Sequence, residues 1–130
     1  MSYTNKYYPK RPVKSFQDLE VYQKLLAVSV AIAKRVKSEK VTVMALDLPV
    51  KIATAHSLRF GDQTSAIEAL EEVMLNCNIL VVYLEQYRDI ENKDIDVEFF
   101  EEQIKSLLSV RMKILHLQMS WKKFAKEYVK

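Results

Sequence analysis

The sequence has a single glycine and three prolines in 130 residues. Sandwiches, barrels and doubly wound α/β folds need many turns at positive φ, so this scarcity excludes them. It also leaves no glycine-rich loop to cradle a phosphate. The single cysteine, Cys77, forms no intramolecular disulfide, which fits a reducing, cytoplasmic setting. No apolar run approaches the ~20 residues of a membrane span; the longest are 25–33 and 79–84. The N-terminus has no apolar stretch of the signal-peptide kind. What is present is an ordinary globular composition, 49% hydrophobic and 28% charged, in a chain of one-domain length. The expected fold is all-α.

Charge is segregated behind a net +3. Residues 1–14 carry Lys6, Lys10, Arg11 and Lys14 with no acid. Residues 60–102 carry twelve acidic residues against two basic, and residues 103–130 seven basic against one acidic. Such clustering suits a polyanion or an acidic partner surface. Neutralisation between neighbouring helices of one bundle explains it equally well.

Residues 1–14 show no helical period and hold two prolines and three tyrosines, so they read as an extended basic arm. Tyr3, Tyr7 and Tyr8 interleave with the cations, a pattern that suits base stacking beside phosphate contacts. The rest, 15–130, reads as one domain of four helices. Ser15 and Asp18 have capping-box spacing for a first helix over 16–38, with Leu19, Tyr22, Leu26, Ser29, Ala33 and Val36 as its stripe. A second helix spans 43–60, kinked at Pro49 and stopped by Gly61 at C′. A third spans 64–90, capped by Ser65 with Glu68, on a stripe from Ile67 to Leu84. A fourth spans 97–128 behind Asp96, with Lys122, Lys123 and Lys126 complementing the dipole of its last turns.

The fourth helix has two apolar faces. Ile104, Leu108, Met112, Leu115 and Met119 form one. Leu107, Val110, Ile114, Leu117, Trp121 and Phe124 form the other, and are expected to meet another subunit. The architecture implied is an antiparallel up-down four-helix bundle with an N-terminal arm, self-associating.

Little of the sequence points to catalysis. His56 and His116 have no Cys, Asp or Glu at i±3 or i±4 to complete a ligand pair, so no metal site or cofactor is expected. Glu68, Glu71 and Glu72 lack the Glu-x-x-His pattern of di-metal bundles. Cys77 falls on an apolar stripe, where a thiol is inert. The basic candidates for nucleic-acid contact are Lys6, Lys10, Arg11, Lys14, Lys34, Arg35 and Lys37, with Lys51 and Arg59 added from the second helix.

Two segments carry a family resemblance. Residues 15–24, SFQDLEVYQK, resemble the opening signature of bacterial four-helix-bundle proteins, among them those encoded by intervening sequences of large-subunit ribosomal RNA genes. Residues 48–55, LPVKIATA, are similar to the family's I-P-x-N-I-A-E-G, with Lys51, Thr54 and Ala55 in place of Asn, Glu and Gly. The long last helix with Trp121 and Lys122 looks more like a sister branch, the accessory variability determinants of diversity-generating retroelements. The resemblance implies a non-enzymatic bundle, commonly a homopentamer. Its accessory branch implies RNA or DNA and a reverse transcriptase as partners. The ribosomal-intervening branch implies instead a scaffold acting only through protein–protein contacts.

Overall fold

A computed structural model describes residues 15–91 and 96–128, with the side chains of the last helix described as far as Phe124. The expected basic arm, 1–14, lies outside the described residues. So do its candidate contacts Lys6, Lys10, Arg11 and Lys14.

Ser15 opens the fold with the expected reciprocal cap. Its Oγ accepts from the Gln17 N–H at 3.1 Å, and its own N–H donates to Asp18 at 3.3 Å. The cap starts a short 3-10 turn, Phe16–Asp18, rather than the long helix. Leu19 is extended, and α1 follows as Glu20–Arg35. The chain turns through 36–38 into α2, Glu39–Leu58, whose N-cap is Ser38. This helix begins four residues earlier than its apolar pattern suggests, because Ser38 accepts from the Val41 N–H. Pro49 does lie inside α2, where it has no N–H to donate to the Ala45 carbonyl.

Gly61 does not form the left-handed stop expected of it. No described glycine has a positive φ; α2 ends instead in a tight turn in which Gly61 and Asp62 both donate to the Leu58 carbonyl. Asp62, not Ser65, caps α3, Gln63–Ile90: it accepts from the Ser65 N–H at 3.1 Å and from its hydroxyl at 2.6 Å. The fourth helix, α4, spans Val97–Tyr128, and Asp96 accepts from the Phe99 N–H at 3.1 Å.

The four helices surround one core, and no strand occurs among the described residues. Each helix packs on the next, and α1 also packs on α4. Contacts between α1 and α4 run in opposite chain order: Arg35 meets Asp96, while Glu20 meets Lys113. The same holds between α3 and α4, where Tyr87 stacks on Phe100 and Ile67 accepts from Gln118.

Leu25, Ile32, Leu48, Ile52, Leu70, Leu80, Leu84, Leu107 and Ile114 form the centre of the core. In α1 the buried stripe is Val21, Leu25, Val28, Ser29 and Ile32; Leu26, expected inside, is exposed. Ser29 is satisfied there by donating to the Leu26 carbonyl at 2.9 Å.

The two faces of α4 are assigned the other way round from the sequence expectation. Leu107, Val110, Ile114 and Trp121 are buried inside the chain's own bundle, with Leu117 half-buried beside them. This set is corrected from subunit interface to inner face; of it only Phe124 stays exposed. The reason is geometric. Phe100, Gln103, Leu107, Val110, Ile114, Leu117 and Trp121 alternate strictly by three and four, so they stay on one seam for the length of the helix. The run Ile104, Leu108, Met112 repeats by four, so it drifts around the helix and leaves Leu108, Met112 and Met119 exposed.

Candidate nucleic-acid interface

The described basic candidates do not form one patch. Lys34, Arg35 and Lys37 sit where α1 ends, and Arg59 where α2 ends. Lys37 precedes α2 and Arg59 follows it, so the helix of 20 residues separates them, roughly 30 Å at ~1.5 Å per residue. No single phosphate run of a few nucleotides bridges them.

At the first of these ends, Arg35 is exposed but paired within the protein. Its guanidinium lies 2.9 Å from the Asp96 carboxylate and 4.2 Å above the Phe99 ring. Asp96 is held below its ordinary pKa, first by the Phe99 N–H and then by Arg35. Lys34 and Lys37 are exposed and make no ion pair among the described residues. Lys40, also at this end, lies 4.2 Å over the Tyr83 ring.

Lys51, at mid-helix, is matched by two carboxylates. Its Nζ lies 2.8 Å from Glu72 and 3.3 Å from Asp47. The hydrogen bond to Glu72 leads the causes that raise its pKa. Its charge is neutralised locally, so it adds little to a surface that attracts phosphate.

Arg59 is different. It makes no ion pair among the described residues and lies over three rings: Phe60 at 5.0 Å, Trp121 at 5.1 Å and Phe124 at 5.6 Å. Burial against these rings lowers its pKa. It also explains why the site needs arginine, since a guanidinium is more weakly hydrated than an ammonium and stacks flat on aromatic faces. The His56 ring completes the cluster, 6.4 Å from Trp121, its pKa lowered first by burial and then by Arg59. Phe60 is 76% exposed beside this cation.

Sequence reasoning left out two cations at this end. Lys122 and Lys123 are exposed on the turn of α4 that holds Trp121. They read in the sequence as a match to the helix dipole and, for Lys122, as part of the family resemblance, because nothing local says that Arg59 packs on the neighbouring Trp121. Asp18, Leu19 and Glu20, just after the first described residue, border Lys113, His116 and Leu117 on α4, the helix that leads to Trp121.

The remaining singled-out groups show ordinary structural roles. Cys77 is buried and its thiol is pushed up to about 12 by burial, which keeps it protonated. Among the described residues no group of three or more His, Cys, Asp or Glu is placed to hold a metal ion. No described helix is long and apolar enough to cross a membrane. Compared with known proteins, the chain matches no family model, no curated protein and no solved structure.

Proposed function

We propose that the chain is a non-enzymatic nucleic-acid-binding accessory protein of the cytoplasm, built as an up-and-down antiparallel bundle and self-associating. The opposite chain order of the α1–α4 and α3–α4 contacts supports the topology. One observation carries the binding reading. Arg59, without a carboxylate partner among the described residues, shares one end of the bundle with Lys122, Lys123 and the exposed Phe60 ring. Lys6, Lys10, Arg11 and Lys14 add four cations in the sequence just before Ser15, and Asp18, Leu19 and Glu20 border the same helix, α4. Cations beside an exposed aromatic ring suit a single-stranded nucleic acid, with phosphates on the cations and a base on the ring. The exposed Leu108, Met112 and Met119 of α4 support self-association, on the face opposite to the one the sequence suggested. A reverse transcriptase is the protein partner that the family resemblance favours.

The test is a fluorescence-anisotropy titration of a structured RNA with single-stranded loops, and of a single-stranded RNA, with the full chain at about 50 and 200 mM salt. Binding is expected to weaken steeply between the two. The double variant Lys122→Gln/Lys123→Gln should reduce the log–log salt slope by about 0.7–0.9 for each phosphate no longer paired with a lysine. Lys34→Gln/Lys37→Gln, at the far end, should leave it unchanged. Absence of binding at the lower salt overturns the reading in favour of a scaffold that works only through protein contacts.

A further inference from the structure

Two open grooves flank α3, and they differ in electrostatics. The groove between α2 and α3, of about 700 Å³, is lined by Val43 and Met44 with Glu39, Lys40, Asp47 and Lys51. Its two cations balance its two carboxylates, and Lys51 is bonded directly to Asp47. The groove between α3 and α4, of about 680 Å³, has an apolar floor of Met74, Leu75 and Leu115. Its rim carries Glu68, Glu71 and Glu72 against Arg111 alone. Glu72 is taken by Lys51 from the other side, while Glu68 and Glu71 make no ion pair among the described residues. Leu75 is 57% exposed in the middle of it. An apolar floor under an unbalanced acidic rim fits a cationic segment with large side chains.

We propose that this groove is the docking site of the chain's own residues 1–14. The segment has the complementary composition: four cations, three tyrosines and no acid. It also starts in the right place. Ser15 leads into Asp18 and Leu19, which border Lys113, His116 and Leu117 on one side of α4. Arg111 and Leu115, on the other side of that helix, line the groove. The segment therefore has to cross one helix, about 10–12 Å wide. Fully extended at ~3.3 Å per residue, 14 residues reach roughly 46 Å. The tyrosine rings then cover Leu75 and Leu115, and the cations meet Glu68 and Glu71. This docking stands apart from the nucleic-acid reading; only its consequence, that a docked segment keeps four cations from an incoming phosphate chain, rests on it.

The test is photo-cross-linking from within the full chain, with benzoylphenylalanine replacing Tyr7. Mixing isotope-labelled and unlabelled chains before irradiation separates cross-links within a chain from those between chains. The expected products join residue 7 to Met74–Asn78 or Arg111–Leu115 of the same polypeptide. They should disappear in Glu68→Gln/Glu71→Gln, both exposed positions, with helicity by circular dichroism unchanged. Raising the salt on the unsubstituted acidic rim should lower the same yield, an independent readout of the charge contribution. Cross-links to other surfaces, cross-links only between chains, no cross-link at all, or a yield indifferent to both salt and rim charge would each overturn the proposal.

Discussion

The two ends of the bundle solve the same packing problem with different charges. At one end Arg35 lies over Phe99, and Tyr87 stacks on Phe100 at 5.6 Å. At the other, Arg59 lies over Phe60, Trp121 and Phe124. Both ends close the core with aromatic rings under an arginine. At the first the guanidinium is also bonded to the Asp96 carboxylate, which caps α4. At the second the arginine has no such partner among the described residues, and a histidine sits beside it. A cation's surroundings, not its place in the sequence, decide whether its charge is left for a partner. Arg35 serves the fold, whereas Arg59, half-buried under its rings, has no carboxylate partner among the described residues.

The largest expected effects test whether both ends belong to one cooperative core. Trp121 is 4% exposed and Phe100 3%. Replacing either with alanine should lower the unfolding free energy by about 3–5 kcal/mol in urea titrations. A loss below about 1 kcal/mol at Trp121 alone would mean that its end frays independently of the rest.

Next comes acid, for which the upper window belongs to the Trp121 end, through His56, while the lower one is shared by both ends, through Asp62 and Asp96. His56 has its folded pKa below the ordinary 6.5, so its neutral form is favoured in the fold. Its contribution is fully present above pH 6.5 and is lost as pH falls through the folded value, when the unfolded chain binds the extra proton. Asp96 has its folded pKa below the ordinary 3.8, so its charged form is favoured. That contribution is present above 3.8 and is lost only as pH falls further. Melting temperatures should therefore drop in two steps on acidification, the Trp121 end responding first. His56→Gln should flatten the upper step, and Asp96→Asn should reduce only part of the lower, because Asp62 and Asp89 are also held below 3.8. A single step untouched by His56→Gln would remove the distinction.

The smallest effect concerns the turn beside Arg59. Gly61 has no positive φ, and a Cβ there would meet nothing within 4 Å. Gly61→Ala should raise stability by about 0.4–1 kcal/mol, by restricting the unfolded chain. Destabilisation in thermal melts would show that this turn needs the freedom of glycine.

Much of the fold is legible in the sequence because it is local. The Ser15–Asp18 cap, the span of α4 and its cap Asp96 follow from side chains reaching backbone groups two or three residues away. The core stripe of α3 follows from its period; Leu70, Met74, Cys77, Val81 and Leu84 are all buried. The misreadings arise where two local solutions compete. Ser65 has the right spacing for a cap, but Asp62 reaches the Ser65 N–H first. On α4 two apolar faces are available, and only the partner helices decide between them. Gln118 shows the limit most directly. It is 2% exposed, and its amide donates to the Ile67 carbonyl of α3 at 3.1 Å. A polar residue next to an apolar seam reads as surface until a carbonyl 51 positions away is brought to it.

The same division holds for the candidate site. Sequence alone determined the helical class, through scarce glycine and sustained periods of three and four, and it determined where cations and carboxylates are concentrated along the chain. Tertiary structure alone decided which charges meet. It bound Arg35 to Asp96 and Lys51 to Asp47 and Glu72, and left Glu68 and Glu71 facing an open groove. It also set Arg59 next to Trp121, a residue 62 positions later in the chain. The physical reason is range. Helical periodicity and capping act over a few residues, whereas a Coulomb interaction depends on distance in space and on the local dielectric, which only packing sets.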